Sequence, residues 1–121
     1  MSLAAPSLHA RTFRTHGQTV LVVTGTIDTW NVGEFRAALD EALSSSDKYL
    51  IVDISHVQYA CARVFGLLSA AGAKIATRGG ALTVTCPQNS FLCRILGLVR
   101  FPYSVAYSVD EAIAKRRGQA F

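Results

Sequence analysis

The sequence is short of the residues that announce a chemistry. Its three cysteines, Cys61, Cys86 and Cys93, are an odd number with no C-x-x-C pair, which argues against a disulfide framework and against a thiolate metal site. No G-x-x-x-x-G-K-[ST] occurs, and the glycines at 79 and 80 follow a helical pattern instead of opening one. A phosphate-cradling loop is thereby excluded. The histidines, His9, His16 and His56, are scattered. His56 and Cys61 come closest to a base and nucleophile, but no oxyanion or substrate-binding feature accompanies them. An enzyme, a metal and a cofactor are all unexpected. Charge is thin as well, 17% of residues against roughly 25% in an average soluble protein. Long apolar runs are missing: no stretch reaches the roughly 18 residues of a membrane span, and residues 1–8 lack the charged start and apolar run of a signal peptide. A cytoplasmic protein without a membrane span is expected.

What the chain does have is apolar content, 50% of 121 residues. That length suits one domain, which buries roughly two thirds of its unfolded surface without needing staples. Surplus apolar surface is either a partner interface or the ordinary exposure of a small protein. The net charge of +4 tilts the chain towards acidic partners without naming them. Lys115-Arg116-Arg117 reads as cations at the negative end of a last helix. No aromatic residues are interleaved with the other basic ones as base stacking would require, so no direct nucleic-acid contact is expected.

Periodicity supplies the elements. Residues 9–15 alternate as an edge strand, and the β-branched run TVLVVTGT at 19–26 reads as a central strand, joined to it by a tight hairpin at Gly17-Gln18. Asn31-x-x-Glu34 has the form of a capping box before a helix whose Val32, Phe35, Leu39 and Leu43 recur at helical spacing. YLIVDI at 49–54 is a short apolar strand in which Asp53 needs a partner or an exposed end. Residues 55–60 read as a connection. A second helix over 61–78 carries Val64, Leu67, Leu68, Ala71 and Ile75 as its buried stripe and closes on Gly79-Gly80. A strand at 81–86, a short helix at 88–98, a strand at 103–107 and a helix opened by the capping box Ser108-x-x-Glu111 complete the chain. The predicted fold is an α/β domain over residues 9–117, with flexible residues at 1–8 and 118–121. Its mainly parallel sheet has about five strands, with an antiparallel edge strand and four helices.

The order and spacing of several features resemble the STAS domain family, which includes the anti-sigma factor antagonists and domains of sulphate transporters. They are the strand from Val20 to Gly25, the Gly25-x-x-Asp28 turn, YLIVDIS, the junction VQYACARVFGLL at 57–68, the strand from Leu82 to Pro87, Arg94-Ile95-Leu96 and the closing Ser108-Val109-Asp110-Glu111-Ala112. The family's second helix usually starts Asp-Ser-Ser/Thr-Gly-Leu, and its second hydroxyl residue is phosphorylated by an anti-sigma factor that is also a serine kinase. The five matching positions here are Cys61, Ala62, Arg63, Val64 and Phe65. None agrees with that pattern, and the phosphorylation position is Arg63, which has no hydroxyl.

The resemblance implies a regulator that sequesters an anti-sigma factor of the serine-kinase ATPase type and so frees a sigma factor, without the usual phosphorylation switch. The partner surface it implies is the loop at Asp28 with Trp30, together with Cys61, Ala62, Arg63 and Phe65. Trp30 is either an exposed anchor or a staple onto the helix that follows. Phe65 either faces the partner or fills space beneath the Asp28 loop. A thiol at a helix start beside an arginine has a lowered pKa and oxidises more easily, so Cys61, with Cys86 on the neighbouring strand, is a candidate replacement switch. The other reading of these thiols is as small buried hydrophobes. An accessory or ligand-binding module of a transport system is the alternative function, and a homodimer is left open.

Overall fold

The computed structural model describes residues 7–118. The elements run β1 (Leu8–Thr15), β2 (Gln18–Ile27), α1 (Val32–Ser45), β3 (Tyr49–Ala60), α2 (Ala62–Ala76), β4 (Ala81–Thr85), α3 (Phe91–Leu98), β5 (Ser104–Ala106) and α4 (Val109–Gly118). The five strands lie side by side in chain order. β1 is antiparallel to β2, and every later pair is parallel. This is the expected sheet with its antiparallel edge strand and four helices. Leu8 and Gly118 belong to β1 and α4. The rest of the two ends expected to be flexible, residues 1–6 and 119–121, lies outside the described residues.

Alternation along the strands sorts the sheet into two unequal faces. Leu21, Val23, Leu50, Val52, Ile54, Leu82 and Val84 point to one side. There they meet Phe35, Leu39 and Leu43 of α1, Val64, Leu68 and Ile75 of α2, and Leu92 and Leu96 of α3. Each such side chain, fully buried, stabilises the fold by about 1.5–3 kcal/mol. The other side is served by α4 alone, through a small cluster of Val20, Ile51, Ala106, Ala112 and Ile113.

Three local expectations are corrected. The hairpin turns at His16 and Gly17, both with positive φ (50° and 75°), and not at Gly17-Gln18. Gln18 instead starts β2 and pairs with Thr15. Two successive left-handed residues match the right-handed twist of a hairpin, which is why the turn sits there. Residues 55–60 are not a connection, because β3 continues through them to Ala60, beside β2. Register shifts between Val22 and Thr24 and between Gly25 and Thr26 absorb the extra length. Gly25 makes the second shift feasible: its φ is +99°, and a Cβ there would collide with the Ser7 carbonyl. The third correction is at Asn31, which forms no side-chain cap to α1. The Ser108 box does form, with Ser108 Oγ accepting from the Glu111 N–H at 3.0 Å and Glu111 Oε2 accepting from the Tyr107 N–H at 3.2 Å.

Asp53 obtains its partners inside the fold. It is buried, and its Oδ1 accepts from the Ser55 N–H at 3.0 Å, the Ser55 hydroxyl at 2.6 Å and the Thr85 hydroxyl at 2.9 Å. The last bond ties β3 to β4 on the α4 side of the sheet.

Candidate functional site

Parallel pairing brings together two loops that are distant in sequence. The β2–β3 ladder ends with Ile27 opposite Ala60, and one further bond, from the Cys61 N–H to the Ile27 carbonyl at 2.8 Å, carries the pairing past the strand ends. The residue after Ile27 is Asp28. The residue after Cys61 begins α2. The Asp28 loop and the start of α2 are therefore neighbours at the carboxyl end of the sheet, where ligands of open α/β sheets usually bind.

The Asp28 loop is wound on its own side chains. Asp28 Oδ1 accepts from the N–H groups of Trp30 (2.8 Å) and Asn31 (3.0 Å), while Asn31 Oδ1 accepts from the Asp28 N–H at 2.8 Å. Asn31 Nδ2 donates to the Thr26 carbonyl at 2.8 Å. The Asp28 carbonyl in turn accepts from the Val32 N–H at 2.9 Å, in the first turn of α1. This reciprocal Asx arrangement uses Asn31 to lock the loop, which is why Asn31 is not free to cap the helix. The loop holds Trp30 away from the core, with 93% of its surface exposed. Trp30 is thus no staple onto α1.

The start of α2 is open in a different sense. Cys61 is the N-cap residue but makes no side-chain cap, and the first turn carries no acidic residue. Ala62 and Arg63 are exposed, and Arg63 has no hydrogen bond or ion pair among the described residues. A cation at the positive end of a helix is mildly unfavourable, and Asp28 does not offset it, since no ion pair joins the two.

Two of the residues expected on this surface are directed inward. Phe65 and Cys61 are buried within the main core, so neither side chain presents area to a partner. Cys86 is completely buried. Burial, reinforced by the neighbouring Cys93 thiol, pushes the Cys86 thiol up from 9.0 to about 12, which keeps it protonated at neutral pH. Burial of both thiols argues against a reactive Cys61–Cys86 pair, because thiolate character and access govern oxidation. One surface residue was missed by the sequence reading. Tyr59, opposite Thr26 near the end of β3, is 50% exposed at the same end of the sheet as Trp30. Treating residues 55–60 as a connection concealed it; the buried Val57 and Ala60 on either side of the exposed Gln58 and Tyr59 are the signal.

Among the described residues no three His, Cys, Asp or Glu side chains are grouped to hold a metal ion, and no helix is long and apolar enough to cross a membrane. At this end the arrangement offers an exposed aromatic side chain, an unpaired guanidinium and a hydrogen-bonded loop. Those groups suit protein recognition.

The family follows from the same stretch of chain. Residues 11–101 match the family model described as the Mlab STAS domain, and the chain belongs to the STAS domain family. Its fold is that of known anti-sigma factor antagonists. The structure of an anti-sigma factor antagonist from Mycobacterium paratuberculosis superposes with a TM-score of 0.80 at 23% identity, covering 95% of this chain and 99% of that one. SpoIIAA, an anti-sigma factor antagonist, in its unphosphorylated form gives 0.68 at 19% identity over 94% and 97%. The phosphorylated form of SpoIIAA, a Bacillus cell fate determinant, gives 0.62 at 18% identity over 92% and 98%. No curated protein matches the chain in a sequence comparison.

Proposed function

We propose that the chain is an antagonist that docks onto an anti-sigma factor through the Asp28 loop and the start of α2, releasing a sigma factor, with no serine switch at the docking surface. The observation that carries this reading is the presentation of Trp30. A loop closed by its own hydrogen bonds holds a tryptophan almost wholly in solvent, and the neighbouring start of α2 carries an unpaired arginine. Exposed tryptophan and arginine on a pre-organised frame are the residues most enriched at binding hot spots, and rigidity lowers the ordering cost of association. The partner is expected to supply an apolar pocket for Trp30 and a carboxylate for Arg63. The likeness of fold to anti-sigma factor antagonists supports the choice of partner class.

The arginine has a regulatory consequence. Phosphate at a helix start is stabilised by free N–H groups, and nearly two negative charges placed there would repel an acidic partner. Arg63 cannot accept phosphate, and its fixed charge attracts the partner that phosphate would expel. Docking is then constitutive at this position. Titration calorimetry against anti-sigma factors of the serine-kinase ATPase type is the test. Trp30→Ala is expected to weaken binding by about 30-fold with an unchanged melting temperature, and intact mass after incubation with kinase and ATP to show no added phosphate. Binding that ignores Trp30→Ala and Arg63→Ala together would remove this surface from the reading.

The matching family model is described by the Mlab STAS domain and names no anti-sigma factor. A second reading, an accessory module of a transport system, is compatible with membership of the STAS family. Recovery of a transporter ATPase, with no anti-sigma factor, on the immobilised protein would favour it.

A further inference from the structure

Basic side chains cluster at the end of the sheet away from the docking loops. Four elements deliver cations there: Arg14 at the end of β1, Lys48 before β3, Arg78 after α2, and Lys115, Arg116 and Arg117 in the last turn of α4. Side-chain contacts fix the grouping. Arg116 and Lys48 both lie over the ring of Tyr49, the first residue of β3, at 4.6 and 5.5 Å. Arg14 reaches the Ser45 carbonyl at 3.2 Å and Asp47 at 3.0 Å, and Arg78 reaches the Leu43 carbonyl at 3.1 Å. Asp47 pairs with Arg14, and Glu111 with Lys115. Lys74 in the last turn of α2 adds a seventh cation at this end, paired with Asp40 at 3.9 Å.

Helix ends explain part of this grouping. The C-termini of α1, α2 and α4 all lie at this end, and each carries about half a negative charge, roughly 1.5 in all. The cations exceed that, so the end remains positive towards a partner. Its chemistry is charge without an anchor. Among the described residues the exposed aromatic side chains Trp30, Tyr59, Phe91 and Tyr107 follow or end the strands on the opposite side, and the ring of Phe13, near this end, lies under the Arg11 guanidinium, so no open aromatic anchor stands with the cations. The ring of Tyr49 carries Arg116 and Lys48, which leaves it unsuited to stacking on a nucleobase.

We propose that this end of the fold is a docking surface for anionic phospholipid headgroups, holding the domain at a membrane surface with the Asp28 loop and α2 start turned outward. The proposal is independent of which partner those loops take. Each cation near an anionic membrane strengthens partition by roughly five-fold, and the effect fades within a Debye length as salt rises.

The test is cosedimentation of the full chain with vesicles of phosphatidylcholine containing phosphatidylserine, with pure phosphatidylcholine vesicles as reference. Binding is expected to the anionic vesicles only, and to fall with added salt. The exposed-site variant Lys48→Gln, Lys115→Gln, Arg117→Gln should lose on the order of 100-fold in partition. The variant Arg36→Gln, Arg94→Gln, Arg100→Gln, which removes the same charge elsewhere, should stay close to the unaltered protein. No binding to anionic vesicles at low salt overturns the proposal. So does an equal loss in both variants, which would make net charge and not this surface responsible. Tighter binding to duplex DNA or single-stranded RNA than to vesicles, at equal phosphate concentration, overturns it in favour of nucleic acid.

Discussion

The Asp28 carboxylate accepts two backbone N–H groups, so its replacement acts first on the loop and only through the loop on a partner. Asp28→Asn retains an acceptor oxygen and is expected to leave unfolding nearly unchanged. Asp28→Ala strands both donors and should cost about 1–2 kcal/mol in urea unfolding, with weaker docking because Trp30 is no longer held. A direct charge contact with the partner predicts instead that Asn damages docking as much as Ala. Cys86 yields a second residue-scale expectation. Its folded pKa of about 12 lies above the unfolded 9.0, so above pH 9 the unfolded chain releases a proton that the folded chain keeps. Stability from this group is complete below pH 9 and declines through the interval up to about 12, by at most roughly 1.4 kcal/mol per pH unit. Denaturant titrations at pH 8, 9 and 10 should show the decline, and Cys86→Ala should flatten it. An unchanged slope in the variant would assign the alkaline loss to other groups.

At the scale of elements, what the sequence disclosed depended on whether the pattern was local. α1 and α2 were legible because Phe35, Leu39 and Leu43, and Val64, Leu68 and Ile75, repeat at the helical period on amphipathic segments. The last six residues of β3 were not, since SHVQYA has no strict alternation and its strand form depends on pairing with a bulged β2, a long-range condition. Asn31 shows the same limit: its spacing to Glu34 is that of a capping box, but its side chain is committed to Asp28 and Thr26. The site was legible in part for a related reason. Position in the family pattern located Asp28 and the α2 start, while exposure, which separates Trp30, Ala62 and Arg63 from the buried Cys61 and Phe65, is a property of the packed helix. The Asp53 to Thr85 bond is an element-scale device of this kind, joining β3 to β4. Thr85→Val keeps the shape and removes one of three donors to Asp53, a loss of about 1 kcal/mol. Asp53→Ala leaves the buried Thr85 hydroxyl without its acceptor and should cost about 1–3 kcal/mol. No effect of Thr85→Val in thermal unfolding, beside a loss in Asp53→Ala, would mean that Asp53 is held by Ser55 alone.

The whole molecule is asymmetric about its sheet, and the asymmetry sets where it opens. The face under α1, α2 and α3 carries the large core, whereas α4 is held by Ala112 and Ile113 on Val20, Ile51 and Ala106. Local opening free energy follows the apolar surface that an opening exposes, so elements with a small buried face open below the global transition. α4 is expected to exchange its amide hydrogens earliest among the helices, ahead of the central strands β2 and β3, whose ladder lies between other strands on both sides. Truncations report the same difference in energy. Phe35→Ala, from a completely buried ring, should cost about 3–5 kcal/mol, and Ile113→Ala, at the margin of the smaller cluster, towards 2 kcal/mol, the low end for such a change. If α4 opens alone, Ile113→Ala will also speed exchange in α4 while leaving β2 and β3 slowed only by their own global stability. Exchange in α4 and in β3 that shifts by one common amount would mean instead that both faces unfold as a single unit, and the basic last turn of α4 would then be as firmly placed as the docking loops.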